Sequence, residues 1–106
     1  MAVAQGDARQ RLADLPLVRI VRTAACGVPG VAGISPDDVS AIDVRSESQG
    51  LHVVVHLVAL PVPLPTLAVA VRTAVAQALL ESGRPVLAVD VWVDDLVVAA
   101  PGEEGP

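Results

Sequence analysis

Ten consecutive residues, Leu51 to Leu60 (LHVVVHLVAL), place Leu51, Val53, Val55, Leu57 and Ala59 at every second position. A period of two is the period of a strand, whose side chains alternate between faces. One face of this strand is wholly apolar and has to be covered. The other carries His52, Val54, His56, Val58 and Leu60. Two flanking segments supply neighbouring rows: Ile42 and Val44 in VSAIDVR (39–45), and Leu87, Val89, Val91 and Val93 in 85–98. In the last segment Val86, Ala88, Asp90, Trp92 and Asp94 fall with the histidines, and Asp95 falls opposite them. The polar loop 46–50 makes the first two strands a hairpin. With Trp92 the only aromatic residue, the core has to be built from Val, Leu, Ile and Ala.

Two segments read as helices that cover the apolar face. Pro16 opens a helix over about 15 to 26, with Leu17, Ile20, Val21 and Ala24 on one side, and Gly27 ends it. Pro65 starts a longer one over 65–82, with Leu67, Val71, Ala74, Val75 and Ala78 as its buried stripe and Gly83 as its cap. Between the first helix and the first strand, 28–34 reads as a connector of small residues. The predicted order is α-β-β-α-β: an α+β, two-layer domain over 13–98, a three-stranded mixed sheet with two helices on one face. A flexible segment (1–12) and a disordered acidic tail (99–106) are expected to flank it. A chain of 106 residues, 53% apolar and 18% charged, suits one such core and not a disordered polymer.

Charge and cysteine usage exclude several functions. The net charge is −5, with no lysine, so no basic stripe exists to neutralise phosphates and nucleic acid is not an expected partner. One cysteine, Cys26, makes neither a disulfide nor a cysteine-based zinc site, and it is expected as a small core residue. The N-terminus lacks a secretory pattern. Residues 48–71 carry no charged side chain, but Pro61, Pro63 and Pro65 interrupt them, so no membrane span is expected. These features suit the cytoplasm.

His52 and His56 stand four residues apart on one strand, about 13 Å at 3.3 Å per residue, too far to share one ion. Each can pair across the sheet with Asp43, Asp90 or Asp94, as a polar outer face would. Asp90 and Asp94 are separated by about the same 13 Å, beyond the range of paired catalytic carboxylates. No serine sits in a nucleophile motif and no glycine run forms a phosphate loop. The expectation is no enzyme, no cofactor and no metal. Trp92 with Val54 and Val58 on an uncovered face reads as a contact surface. Val54, His56, Val58, Asp90, Trp92 and Asp94 are its candidate residues, and a second copy of the chain is its first candidate partner.

Four stretches carry a resemblance: VPGV at 28–31, LHVVVHLV at 51–58, VPLPTLAVAVRTAV at 62–75 and VDVWVDDLVV at 89–98. Together they resemble the alkaline-shock, or envelope stress response, protein family of Gram-positive bacteria, over about 17–98. That resemblance implies a small, cytoplasmic, non-enzymatic protein that self-associates and is held at the membrane by a small membrane-anchored partner. The Arg-only, Ala/Val/Pro-rich composition would suit an actinomycete. The α-β-β-α-β order is also similar to small iron–sulfur assembly domains, which leaves a metal- or iron–sulfur-handling scaffold as the alternative. Such domains use a CxxC pair or a reactive cysteine, and here there is only Cys26.

Overall fold

The computed structural model describes residues 15–36 and 41–97. The expected flexible segment 1–12 and acidic tail 99–106 lie outside the described residues. Helix α1 occupies 15–26. Strands β1 (Val31–Ile34), β2 (Ile42–Glu47) and β3 (Gly50–Ala59) follow, then helix α2 (Leu64–Glu81) and strand β4 (Val86–Leu96). The fold is the expected two-layer α+β arrangement, with one strand more than the sequence suggests. Residues 31–34, read as a connector, form β1.

Strand β3 is the centre of the sheet. One of its edges is shared end to end by β2, antiparallel against Gly50–Val55, and β1, antiparallel against Leu57–Ala59. His56 joins the two halves: its N–H donates to the carbonyl of Ala41 and its carbonyl accepts from Ser35 N–H. The opposite edge of β3 takes β4 in parallel, as a strand–helix–strand crossover through α2 allows. The sheet is therefore mixed, with three lanes built from four strands.

Both helices lie on the apolar face of β3. Leu51, Val53, Val55, Leu57 and Ala59 are almost fully buried, beneath Leu17, Val21 and Ala25 of α1 and Leu67, Val71, Val75 and Leu79 of α2. Each helical stripe steps by four residues. Ala25 therefore takes the place expected of Ala24, and Leu79 that expected of Ala78. Cys26 is one residue, or about 100° of helix rotation, beyond Ala25; it is exposed, not in the core. By length and composition α2 is a helix that could cross a membrane, yet its four-residue stripe is buried against the sheet. It ends where Gly83 turns left-handed at φ +83°, with Gly83 N–H donating to Leu80 and Arg84 N–H to Leu79.

Two irregularities in β4 correct the expected faces. Between Leu51 and His52 the partner register jumps from Val86 to Ala88, and between Leu57 and Val58 it jumps from Val93 to Asp95. At the first, Val86 packs toward the core and Leu87 is left half-exposed, the reverse of simple alternation. At the second, Asp95 comes opposite Val58, on the outer face, where counting by twos puts it inside. Bulges insert one residue and flip everything beyond them. Gly50 belongs to the first of these junctions. At φ +148°, a Cβ there would stand 3.0 Å from the Pro85 carbonyl oxygen and 3.1 Å from Leu87 N.

Candidate functional site

The outer sheet face has no covering element among the described residues. Trp92 sits at its centre and is 58% exposed. The parallel register puts it beside His56, with Asp90 beside Val54. The Trp92 and His56 rings lie 9° from parallel with centroids 5.8 Å apart, an offset stack. Val54 and Val58 are half-buried on the same face. The six residues singled out from the sequence thus share one surface.

Two histidine–carboxylate pairs flank the indole. His52 Nε2 is 2.8 Å from Asp90 Oδ2, and His56 Nδ1 is 3.1 Å from Asp94 Oδ1. On its other side His52 Nδ1 lies 3.5 Å from Glu47 Oε2. Hydrogen bonding and charge from Asp90, with Glu47 adding to both, hold the His52 imidazole above its ordinary pKa. Asp94 is held below its ordinary value by hydrogen bonds from His56 and then Ser35. Asp43, a third candidate partner for the histidines, bonds Arg45 instead, at 2.9 Å along its own strand. Residues two apart on a strand share a face, and the guanidinium is the nearer cation.

Ser35 and Glu47 are the members that sequence reasoning did not single out. Ser35 is buried beside β1 and its hydroxyl donates to Asp94 Oδ2 at 2.9 Å. The signal was the Ser-Pro turn at 35–36, which reads as loop chemistry until β1 brings it against β3. Ser35, Asp94 and His56 have the residue types of a hydrolytic triad in an order that does not make one. The carboxylate lies between hydroxyl and imidazole, so the imidazole does not take the serine proton. Among the described residues no three His, Cys, Asp or Glu side chains converge as a metal cluster. His52 shows why: its two carboxylates lie on opposite ring nitrogens.

This geometry defines a class before any comparison: a two-layer α+β domain with helices on one side and an imidazole–carboxylate–indole surface on the other. Solved structures with the same fold exist. The MamM CTD in its copper form matches with a TM-score of 0.62 at 17% identity, covering 83% of this chain and 92% of that one. A histidine-to-alanine variant of the MamM CTD gives 0.53 at 20%, covering 76% and 95%. A variant in a manganese form gives 0.52 at 21%, again covering 76% and 95%. At these identities the likeness is one of fold. No family model matches the chain, and no curated protein does.

The resemblance to the alkaline-shock family is therefore corrected, and the envelope-stress reading and its Gram-positive setting go with it. The stretches that carried it were a Pro-Gly turn, a proline-led helix entry and alternating strands. A chain needs these wherever two helices cover one face of such a sheet, so they fit the MamM CTD fold equally well.

Proposed function

We propose that this chain is a cytoplasmic, non-enzymatic, metal-responsive domain that self-associates through its outer sheet face. The observation that carries the reading is the pair of His–carboxylate couples, His52–Asp90 and His56–Asp94, on either side of exposed Trp92. The likeness to a domain solved in copper and manganese forms supports the metal-handling half. Imidazole nitrogen with carboxylate oxygen is a donor set for first-row divalent ions. Each couple offers two donors, where a bound ion of this kind takes three or four protein ligands. Two copies meeting face to face supply four, so on this reading metal and self-association are coupled.

The chain's own residues divide the work. Ser35 holds Asp94 in place, and the Trp92 stack fixes the plane of His56. Proton and metal compete for His52, whose carboxylate neighbours favour the proton, so uptake strengthens as pH rises. The test titrates copper(II) and, separately, manganese(II) into metal-free protein, reading Trp92 fluorescence and mass by light scattering. Quenching with doubling of mass, both abolished in the double variant His52→Ala/His56→Ala, is the expected result. A monomer at every metal level, or metal uptake indifferent to both histidines, overturns it.

A further inference from the structure

Among the described residues, strand β4 pairs with β3 alone. The ladder shows which of its backbone groups are used. Leu51 N–H donates to Pro85, and Val97 N–H donates to Ala59, so the odd residues of β3 point their polar groups at β4. In a parallel ladder one residue bonds the two neighbours of its partner. Val53, opposite Val89, therefore takes Ala88 and Asp90, and Val55, opposite Val91, takes Asp90 and Trp92. The N–H and C=O groups of Val89, Val91 and Val93 are left pointing away from the sheet. Both ends of the strand are blunted by bulges, but Ala88–Val93 between them is regular. It contains no proline or lysine, and spans about 20 Å at 3.3 Å per residue. Such a row of unpaired groups is a template for another strand.

A second feature lies on the same edge. An open groove of about 590 Å³ runs beside it, lined by Arg72, Ala88, Val89, Asp90, Val91 and Trp92. Arg72 projects from the exposed side of α2 and has no hydrogen-bond or ion-pair partner among the described residues. The two walls of the groove therefore differ in sign. Asp90, with Asp94 beyond it, and the indole lie on the outer-face side, and a lone guanidinium lies on the helix side.

We propose that the β4 edge binds an extended peptide segment of another protein, added as a further strand. Its outward side chains would be basic, and one helix-side residue would carry a carboxylate. An added strand alternates faces as β4 does. Every second side chain then meets Asp90, Asp94 and Trp92, where a cation gains both charge and ring-face attraction. The intervening ones pass Val89 and Val91 and reach Arg72. A second copy of β4 is the poorer occupant. It would double the three carboxylates of this strand along one seam, and it presents valines, not an acid, to Arg72.

The probe is a labelled synthetic peptide, acetyl-Lys-Val-Arg-Glu-Arg-Val-Lys-amide, added to the full chain in EDTA so that metal plays no part. Saturable anisotropy is expected, weakened at least tenfold when alternate peptide amides are N-methylated. Weakening at least threefold is expected in Arg72→Glu, with recovery when the peptide glutamate becomes lysine. Arg72 is exposed on a helix, so that variant keeps its fold. Amide exchange of the free chain supplies an arm independent of any peptide: Val89, Val91 and Val93 should exchange freely and become protected on binding. Binding indifferent to N-methylation and to the charge swap overturns the proposal. So does protection of those amides in the free chain, where protection that grows with protein concentration means a second copy and constant protection means the chain's own tail. The metal and self-association reading stands or falls separately, because nothing here requires either.

Discussion

Replacing Trp92 with alanine separates a bare sheet face from a covered one. The indole is 58% exposed, so a little over two fifths of its surface is removed from water in the single chain. A tryptophan offers at most about 250 Å². The covered part is then about 100 Å², or about 2.5 kcal/mol at 25 cal/mol per Å². An unfolded chain already hides some of that area, and alanine retains a little contact, so a loss of about 1–2 kcal/mol is expected. Removing an indole enclosed by its own chain costs about 3–5 kcal/mol. Urea unfolding of dilute, metal-free protein distinguishes the two. Under the proposed function the same substitution also removes metal-induced mass doubling, because the contact surface loses its centre. A stability loss above about 3 kcal/mol, unchanged by dilution, would refute the argument by showing the face to be an internal core.

Other substitutions address the register, the packing and the charge couples. Gly50→Ala puts a methyl group 3.0 Å from the Pro85 carbonyl at φ +148°, so a loss of about 1–3 kcal/mol from strained backbone is expected in thermal or urea unfolding. Val86→Ser and Leu87→Ser should differ in the order opposite to simple alternation. Val86 packs on the core and costs about 1 kcal/mol or more, while half-exposed Leu87 stays within about 0.5 kcal/mol. The His52 couple stabilises the fold while the imidazole is charged. Its pKa is raised in the folded chain, so that contribution is complete below the unfolded value near 6.5 and is lost as pH climbs through the folded value. At a largely solvated site it amounts to less than about 1 kcal/mol, and His52→Gln should flatten unfolding midpoints measured between pH 5 and 9. Asp94 acts with the opposite sign: its support is present at neutral pH and disappears as acid titrates it through its lowered folded value.

Much of the fold was legible because alternation and helical stripes report burial, and burial decides which side of each element faces the core. Leu51 to Ala59 gave the central strand and its inner face, and Leu67, Val71 and Val75 gave the helix above it. What stayed hidden depends on long-range pairing. Val31–Ile34 is four residues with a glycine inside, too short for a period, and is a strand only because Leu57–Ala59 offers an edge. Cys26 sits one step past the buried stripe, a difference of a single helix position. The outer-face residues were readable as a set, yet their partnerships were not. Asp43 chose Arg45, and Ser35 came to Asp94 from 59 positions away. The family resemblance failed for a related reason, since its motifs describe turns and helix entries that unlike sequences share when they build one fold.

The two bulges in β4 tie these threads together. Without the one between Val93 and Asp95, strict alternation would send Asp95 toward the core, where an ionised carboxylate costs several kcal/mol unless paired. With it, Asp95 stays outside beside Val58, and Asp94, the inserted residue, reaches both His56 and Ser35. The bulge between Val86 and Ala88 does the complementary job for Val86 at the other end. Each also interrupts the free edge of the strand, which confines an incoming chain to the six residues from Ala88 to Val93. The irregularities that defeat a count by twos therefore set both the charge pattern of the exposed face and the length of open edge. Deleting Asp94 should restore regular pairing with Asp95 still outside, opposite Val58: the Asp94 contacts to His56 and Ser35 are lost, and the open edge runs on past Val93. A deletion variant that folds with unchanged stability and unshifted NMR resonances of His56 and Ser35 would break the link between the bulge and the surface it builds.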